Sequence, residues 1–352
     1  MKSYNFNHLG LALSFAILLT TGCSTGGAAN TTPSIPTIGK ATTYTSAIAP
    51  TISSEPTPTL TVEHAPLPFS GKIAFVHGNE NIVDNDIYVM NADGSELRNL
   101  TATFPPYSSF PALSPDGKYI AFESIVDQTT QIFVMKTDGS DPKQVTFGEN
   151  GEGSYKPAWS PDGEHIVFLS LRKNILDYRG VPADQGYIMK SDGTELRLLT
   201  SDQQLIVNGI SYRGEDLIAI SVPATPKTIR TYTINSNGVI QKKFPEITID
   251  GIPIWSPNGN LIVYDTIRSN CSGIIVMQPD GSGQMCLILD KMIYPPVHSG
   301  GVSWSPEGEF IIFASDLGGD FDLYVVKTDG SDLTQLTNMP GNEFSPSWSA
   351  MP

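Results

Sequence analysis

Six tight turns built on an Asp-Gly or Asn-Gly pair recur along this chain at a nearly fixed interval. They are Asp93-Gly94-Ser95, Asp138-Gly139-Ser140, Asp192-Gly193-Thr194, Asn237-Gly238, Asp280-Gly281-Ser282 and Asp329-Gly330-Ser331. Successive glycines stand 45, 54, 45, 43 and 49 residues apart. Such a period marks a repeat architecture, in which each copy is one supersecondary unit that buries its apolar face only against its neighbours. A second turn interleaves with the first, at Ser114-Pro115-Asp116-Gly117, Ser160-Pro161-Asp162-Gly163, Ser256-Pro257-Asn258-Gly259 and Ser305-Pro306-Glu307-Gly308, with a worn copy at Ser211-Tyr212-Arg213-Gly214. Proline presets φ at the first central position of a turn, and glycine takes the position that needs φ > 0.

The runs between these turns are short, β-branched or aromatic, and bounded by Gly, Pro and Asp, which predicts strands. Ile120-Ala121-Phe122, Ile166-Val167-Phe168 and Ile311-Ile312-Phe313 follow the Ser-Pro turns. Ile87-Tyr88-Val89-Met90 and Leu323-Tyr324-Val325-Val326 lead into the Asp-Gly turns. Each unit thus holds four antiparallel strands: A (Pro-x-Trp-Ser), B (Ile-x-Phe), C (Ile-Tyr-Val-Met) and D (the Leu-Thr end). Four strands in 40–50 residues describe a propeller blade. Trp159, Trp255, Trp304 and Trp348 share one position of strand A, with Leu113 and Ile210 in that slot elsewhere. Six A strands follow. The last, Pro346-Ser347-Trp348-Ser349, has no B, C or D strand after it, and the first B-C-D set, from Gly71 to Thr101, has no A strand before it. The expected fold is an all-β, six-bladed propeller closed by the C-terminal strand, which removes exposed sheet edges.

Ahead of the repeats the sequence changes character. Residues 1–22 read as a signal peptide: Lys2 precedes an apolar stretch from Leu9 to Leu19 that is too short to span a bilayer. Residues 23–68, rich in Ser, Thr and Pro, read as a flexible tether, because they lack the apolar area to offset ordering entropy. The propeller is assigned to 69–352. The formal charge of −15 becomes −16 once Lys2 leaves with the leader, and an acidic surface of this size disfavours nucleic acid as a partner. Cys271 and Cys286 flank one Asp-Gly turn. In an exported protein they form either a disulfide or two buried thiols.

Leu19-Thr20-Thr21-Gly22-Cys23 resembles a bacterial lipoprotein processing box, which implies that Cys23 becomes the lipid-modified first residue. Pro157-Ala158-Trp159-Ser160-Pro161-Asp162-Gly163 and the Tyr187-Ile188-Met189-Lys190-Ser191-Asp192-Gly193 run after it are similar to the WD-like repeat of TolB-type propellers, and the match extends from about Phe69 to Ser349. TolB proteins carry a further N-terminal α/β domain, for which the segment before Phe69 leaves no room. The resemblance implies a binding scaffold at the cell envelope.

Catalytic signatures are sparse. Gly-x-Ser-x-Gly is absent, as are His-Glu-x-x-His and paired Cys-x-x-Cys spacings. His165 falls on a strand position, whereas His77 and His298 are expected in loops. No metal and no cofactor are expected. Asp84-Asn85-Asp86 and the run Asp316 to Asp322 invite a calcium reading, but neither meets the ligand count locally, so Asp86 and Asp322 are expected as solvated loop ends. Met90, Met135, Met189 and Met277 share a strand-C slot and are expected in the core. The A–B and C–D turns emerge on one face and are uniform; the B–C and D–A connections emerge on the other and vary. Function concentrates on variable loops carried by a rigid scaffold. The longest, Leu171 to Gln185, carries Arg172, Tyr178 and Arg179, the residue types that anchor partners. Tyr107, Tyr294, His298, Asp316 and Asp320 join them as candidate binding residues. The leading expectation is a lipid-anchored, non-catalytic, monomeric propeller at the periplasmic or extracellular face. It would touch the membrane through its lipid alone and bind a protein or envelope polymer. The alternative is a propeller lyase or hydrolase acting on an extracellular polysaccharide.

Overall fold

The computed structural model describes residues 69–78, 84–104, 107–148, 152–171, 184–199, 207–213, 216–221, 230–244, 253–268, 271–287 and 301–350. In chain order, the described strands are β1 (Lys72–Gly78), β2 (Asp86–Asn91), β3 (Arg98–Asn99), β4 (Ser108–Leu113), β5 (Tyr119–Val126), β6 (Thr129–Lys136), β7 (Lys143–Gln144), β8 (Ser154–Trp159), β9 (His165–Ser170), β10 (Gln185–Lys190), β11 (Arg197–Leu198) and β12 (Val207–Arg213). They continue as β13 (Asp216–Ser221), β14 (Arg230–Ile234), β15 (Ile240–Lys243), β16 (Ile254–Trp255), β17 (Ile262–Arg268), β18 (Cys271–Met277), β19 (Met285–Cys286), β20 (Val302–Trp304), β21 (Phe310–Ser315), β22 (Asp322–Lys327), β23 (Thr334–Gln335) and β24 (Asn342–Ser349).

Among the described residues these form six antiparallel sheets of four strands, the fold of an all-β propeller. Five sheets take consecutive strands, β4–β7, β8–β11, β12–β15, β16–β19 and β20–β23. The first has the order β24-β1-β2-β3, so its A strand comes from the end of the chain. Lys72 faces Ser349, Ile73 faces Trp348 and His77 faces Glu343.

The two turn motifs hold by local side-chain bonds. In the Ser-Pro turns the serine is a buried hub: the Ser114 hydroxyl donates to Asp116 Oδ1 at 2.7 Å and accepts from the Tyr119 N–H at 2.9 Å. Ser256 repeats the pattern with Asn258 and Leu261. In the Asp-Gly turns, Asp93 Oδ1 accepts from the Ser95 N–H at 2.9 Å and its hydroxyl at 2.6 Å, as Asp138, Asp280 and Asp329 do with their own serines. These bonds hold the aspartate carboxyls below their usual range, the side-chain hydroxyl being the largest cause. Glycine is required here for space as well as conformation. At Gly238, with φ 80, an added Cβ would stand 1.9 Å from the Leu199 carbonyl oxygen of the preceding sheet.

Each sheet packs its faces on its neighbours. Val167, Leu169 and Ile188 of the third sheet pack with Val207 and Ile234 of the fourth. Val263 and Ile274 of the fifth pack with Trp304 and Phe313 of the sixth. Ile312, Leu323 and Val325 of the sixth pack with Ile73, Phe75 and Trp348 of the first. Strands β20, β24, β4, β8, β12 and β16 touch in that succession, and β20 in turn touches β17. Two of the tryptophans act as staples between these inner strands: Trp159 Nε1 donates to the Ala112 carbonyl at 2.9 Å, and Trp304 Nε1 to the Ile254 carbonyl at 3.1 Å. The shared tryptophan slot therefore records a contact between sheets as well as burial. The strand-C methionines lie in the core, each at most 2% exposed. Cys271 and Cys286 form a disulfide between β18 and β19, with Cα atoms 5.9 Å apart.

Trp159→Phe keeps an aromatic ring in the slot but removes the donor to Ala112. It is expected to cost about 1–2 kcal/mol, read as a fall in the thermal midpoint of roughly 2–4 °C per kcal/mol. An unchanged midpoint would contradict the stapling role.

Candidate functional site

On the side of the B–C and D–A connections, the inner strands leave regular geometry at one repeated position. Phe110, Lys156 and Ser345 each precede a proline and have φ of 46°, 54° and 52°. In each of these three sheets the A–B register slips beside this residue. Positive φ in a non-glycine residue is costly, and such bulges re-aim the backbone and its side chain.

In the third sheet the bulge aims Lys156 at Glu123 of the second. The Lys156 N–H donates to Glu123 Oε1 at 2.6 Å. Glu123 is 3% exposed. Burial pushes its carboxyl up to about 7, against the opposing bond and charge from Lys156. Burial likewise lowers the Lys156 ammonium, while Glu123 and Asp184 pull it back up. The Tyr155 hydroxyl donates to Asp184 Oδ1. Desolvation raises both groups, and for Asp184 the Tyr155 bond and the Lys156 charge act against it. Tyr107, with φ 80, completes the group: burial first and then Glu123 push its phenol up to about 12. Two carboxyls, one ammonium and two phenols thus share a partly desolvated pocket between two sheets, the kind of environment that perturbed titration marks as a functional candidate.

A second polar group sits where the sixth sheet meets the first. His77 Nδ1 and Glu343 Oε1 share a hydrogen bond at 2.7 Å, and Gln335 Nε2 donates to Asp322 Oδ2 at 2.8 Å. Glu343 and Asp322 are 0% and 1% exposed. Burial lowers the His77 imidazole against the raising influence of Asp86, and burial raises both carboxyls, Glu343 to about 8.

Several expectations change here. His77 belongs to β1, not to a loop, because the register of β1 with β24 runs to Gly78. Asp86 and Asp322 are not solvated loop ends. Asp86 accepts from Asn99 and Thr101 at 2.8 and 3.0 Å, and the same hydroxyl of Thr101 accepts the first N–H of strand C, from Ile87. This network ties the C strand to residues beyond the D strand.

Of the candidate binding residues, Tyr107 lies in the first group, and Asp184 closes the long connection named from the sequence. Asp316 and Asp320 lie between β21 and β22. Asp320 Oδ2 accepts from the Gly341 N–H at 3.1 Å, which brings that connection to β24 and the second group. Arg172, Tyr178, Arg179, Tyr294, His298 and Cys23 lie outside the described residues. Glu123, Tyr155, Lys156 and Glu343 were not singled out. The usable signal was positional: Glu123 occupies the strand-B slot that holds Val76, Leu169 and Ala314 in three other sheets, a departure it shares with Asp265 of the fifth.

Fold and repeat together define a β-propeller whose repeat is similar to that of TolB-type propellers. Residues 65–181 match the family model described as the TolB beta propeller domain. A TolB homolog of Chlorobium luteolum is 28% identical over 287 residues, covering 81% of this chain and 61% of that protein. The Tol-Pal system protein TolB of Alcanivorax borkumensis is 30% identical over 106 residues, 30% of this chain and 24% of that protein. The chain thus spans about three fifths of the length of the first relative and a quarter of the second. The crystal structure of TolB from Acinetobacter baumannii superposes with a TM-score of 0.62 at 22% identity, covering 80% of this chain and 67% of that one, a likeness of fold.

Lys156→Met keeps the backbone bond to Glu123 but removes the neighbouring ammonium, and should destabilise the protein measurably near neutral pH. Adding Glu123→Gln should recover a measurable part of that loss in urea unfolding. Strict additivity of the two changes would contradict the pairing.

Proposed function

We propose that this chain is a non-catalytic binding scaffold: a closed, six-bladed propeller, lipid-anchored through Cys23 and carried on the 23–68 tether at the cell envelope. The observation that carries the reading is the contrast between its two faces. One face repeats the same serine and aspartate turns sheet after sheet, as scaffolding does. The other face gathers the residues that break the repeat: Tyr107, Glu123, Tyr155, Lys156 and Asp184 at one junction, and His77, Asp322 and Glu343 at another. Tyrosine beside buried charge suits a protein surface that contributes both area and oriented bonds. Two relatives bearing the TolB name, one assigned to the Tol-Pal system, support an envelope protein as the partner. The Leu171 to Gln185 connection, with Arg172, Tyr178 and Arg179, would extend the same face, together with Tyr294, His298, Asp316 and Asp320.

A photocrosslinking residue placed at Tyr107 should capture one discrete partner in the native cell, and the same residue at Asp138 on the uniform face should not. In those cells a fatty-acid label should enter the wild-type chain and not Cys23→Ala. Equal capture from both faces, or none from Tyr107, would overturn the binding reading; labelling of Cys23→Ala would overturn the anchor.

A further inference from the structure

The junction between the sixth and first sheets departs from its siblings in one paired position. In the second sheet, Ser108 of strand A faces Ser124 of strand B; in the third, Ser154 faces Ser170. The corresponding pair of the first sheet is Glu343 and His77. Two small neutral hydroxyls have been replaced by an acid and an imidazole, and the acid is fully buried.

The hydrogen-bond network shifts to match. In the first sheet the Thr101 hydroxyl donates to Asp86 Oδ1, and in the second the Thr146 hydroxyl donates to Gln131 Oε1. The sixth-sheet equivalent, Thr337, still accepts the Leu323 N–H at 2.8 Å, and Glu343 is the neighbouring acid there. Asp322 Oδ2 is taken by Gln335, and Glu343 Oε1 by His77. Asp322 Oδ1 and Glu343 Oε2 are left buried with no donor, and the Glu343 N–H donates to the Phe321 carbonyl at 2.6 Å, which sets Glu343 beside Asp322. Two buried carboxylates held side by side repel when both are ionised, and one proton between them turns repulsion into a hydrogen bond.

We propose that Glu343 and Asp322 hold a single proton between them, making the attachment of the C-terminal strand to the sixth sheet weaken as pH rises. The groups facing the pair are His77 from β1, Asp86 behind it on β2, Asp316 and Asp320 from the β21–β22 connection, and Tyr324 on β22. The surrounding aspartates add negative charge and favour retention of the proton. A carboxyl whose folded pKa is raised stabilises the fold most at low pH, and that contribution falls away as pH climbs to the raised value. For Glu343 the loss ends at about 8. His77 acts oppositely on the acid side, since burial disfavours its charged form, so the range above 6.5 reports the pair most cleanly.

The test is urea unfolding of the wild-type protein, Glu343→Gln and Asp322→Asn from pH 6.5 to 9. An amide at either position keeps the outer bond and offers a permanent N–H to the other carboxyl. The wild-type folding constant should fall relative to Glu343→Gln by up to about tenfold per pH unit to near pH 8, then level off. Asp322→Asn should flatten the profile in the same way, and amide exchange across β24 should speed up with pH in the wild type beyond its intrinsic acceleration. Parallel profiles for all three proteins would overturn the proposal. So would calcium-dependent stabilisation of the wild type at pH 8 that a chelator reverses, since a cation would then occupy the proton's place.

Discussion

The pairing of β1 with β24 joins residues more than 260 positions apart into one sheet, and the packing of the rest leans on it. Without β24 the first sheet would lack its A strand, and β4 and β20 would each lose a neighbour. The core shared by the sixth and first sheets would lose Trp348 and the support of Phe344. A propeller strand gains little from local propensity, and its stability comes from burying both faces of its sheet against the next. Contact between β1 and β24 is therefore the constraint under which every other junction is made. A would-be Cβ on Gly94 of the first sheet meets the Leu336 carbonyl oxygen of the sixth at 3.9 Å. Gly139 meets Leu100 in the same relation one sheet on.

What could be read from the chain was whatever is settled within a few residues. The Ser-Pro-Asp-Gly and Asp-Gly-Ser turns are local bonding patterns between a side chain and the backbone two to five residues away, so their letters recur wherever their geometry does. The tryptophan slot was visible for the same reason, although the bonds from Trp159 and Trp304 to a carbonyl of the preceding sheet were not. Asp86 and Asp322 were misjudged because the partners that hold them, Thr101 and Gln335, lie thirteen to fifteen residues downstream. Glu343 was invisible as a site because its meaning arises only when β24 lies against β22 and β1.

The two polar groups share a physical logic. Each lies at a junction between sheets, where a repeat offers small or apolar residues elsewhere, and each sets carboxyls where water is largely excluded. Burying charge in this way adds little stability unless partners are geometrically fixed. The bulge at Lys156 and the Gln335 and His77 bonds supply that fixing. Such places are where a symmetric scaffold becomes individual, and they coincide with the face that carries the variable connections.

The most direct test of the account is a cysteine pair across the β1–β24 register. Lys72→Cys with Ser349→Cys, residues that face each other, should form a disulfide on mild oxidation, mapped by mass spectrometry, with the thermal midpoint kept or raised. Failure of this pair to bridge in the folded protein, or bridging only after unfolding, would contradict the placement of β1 and β24 in one sheet.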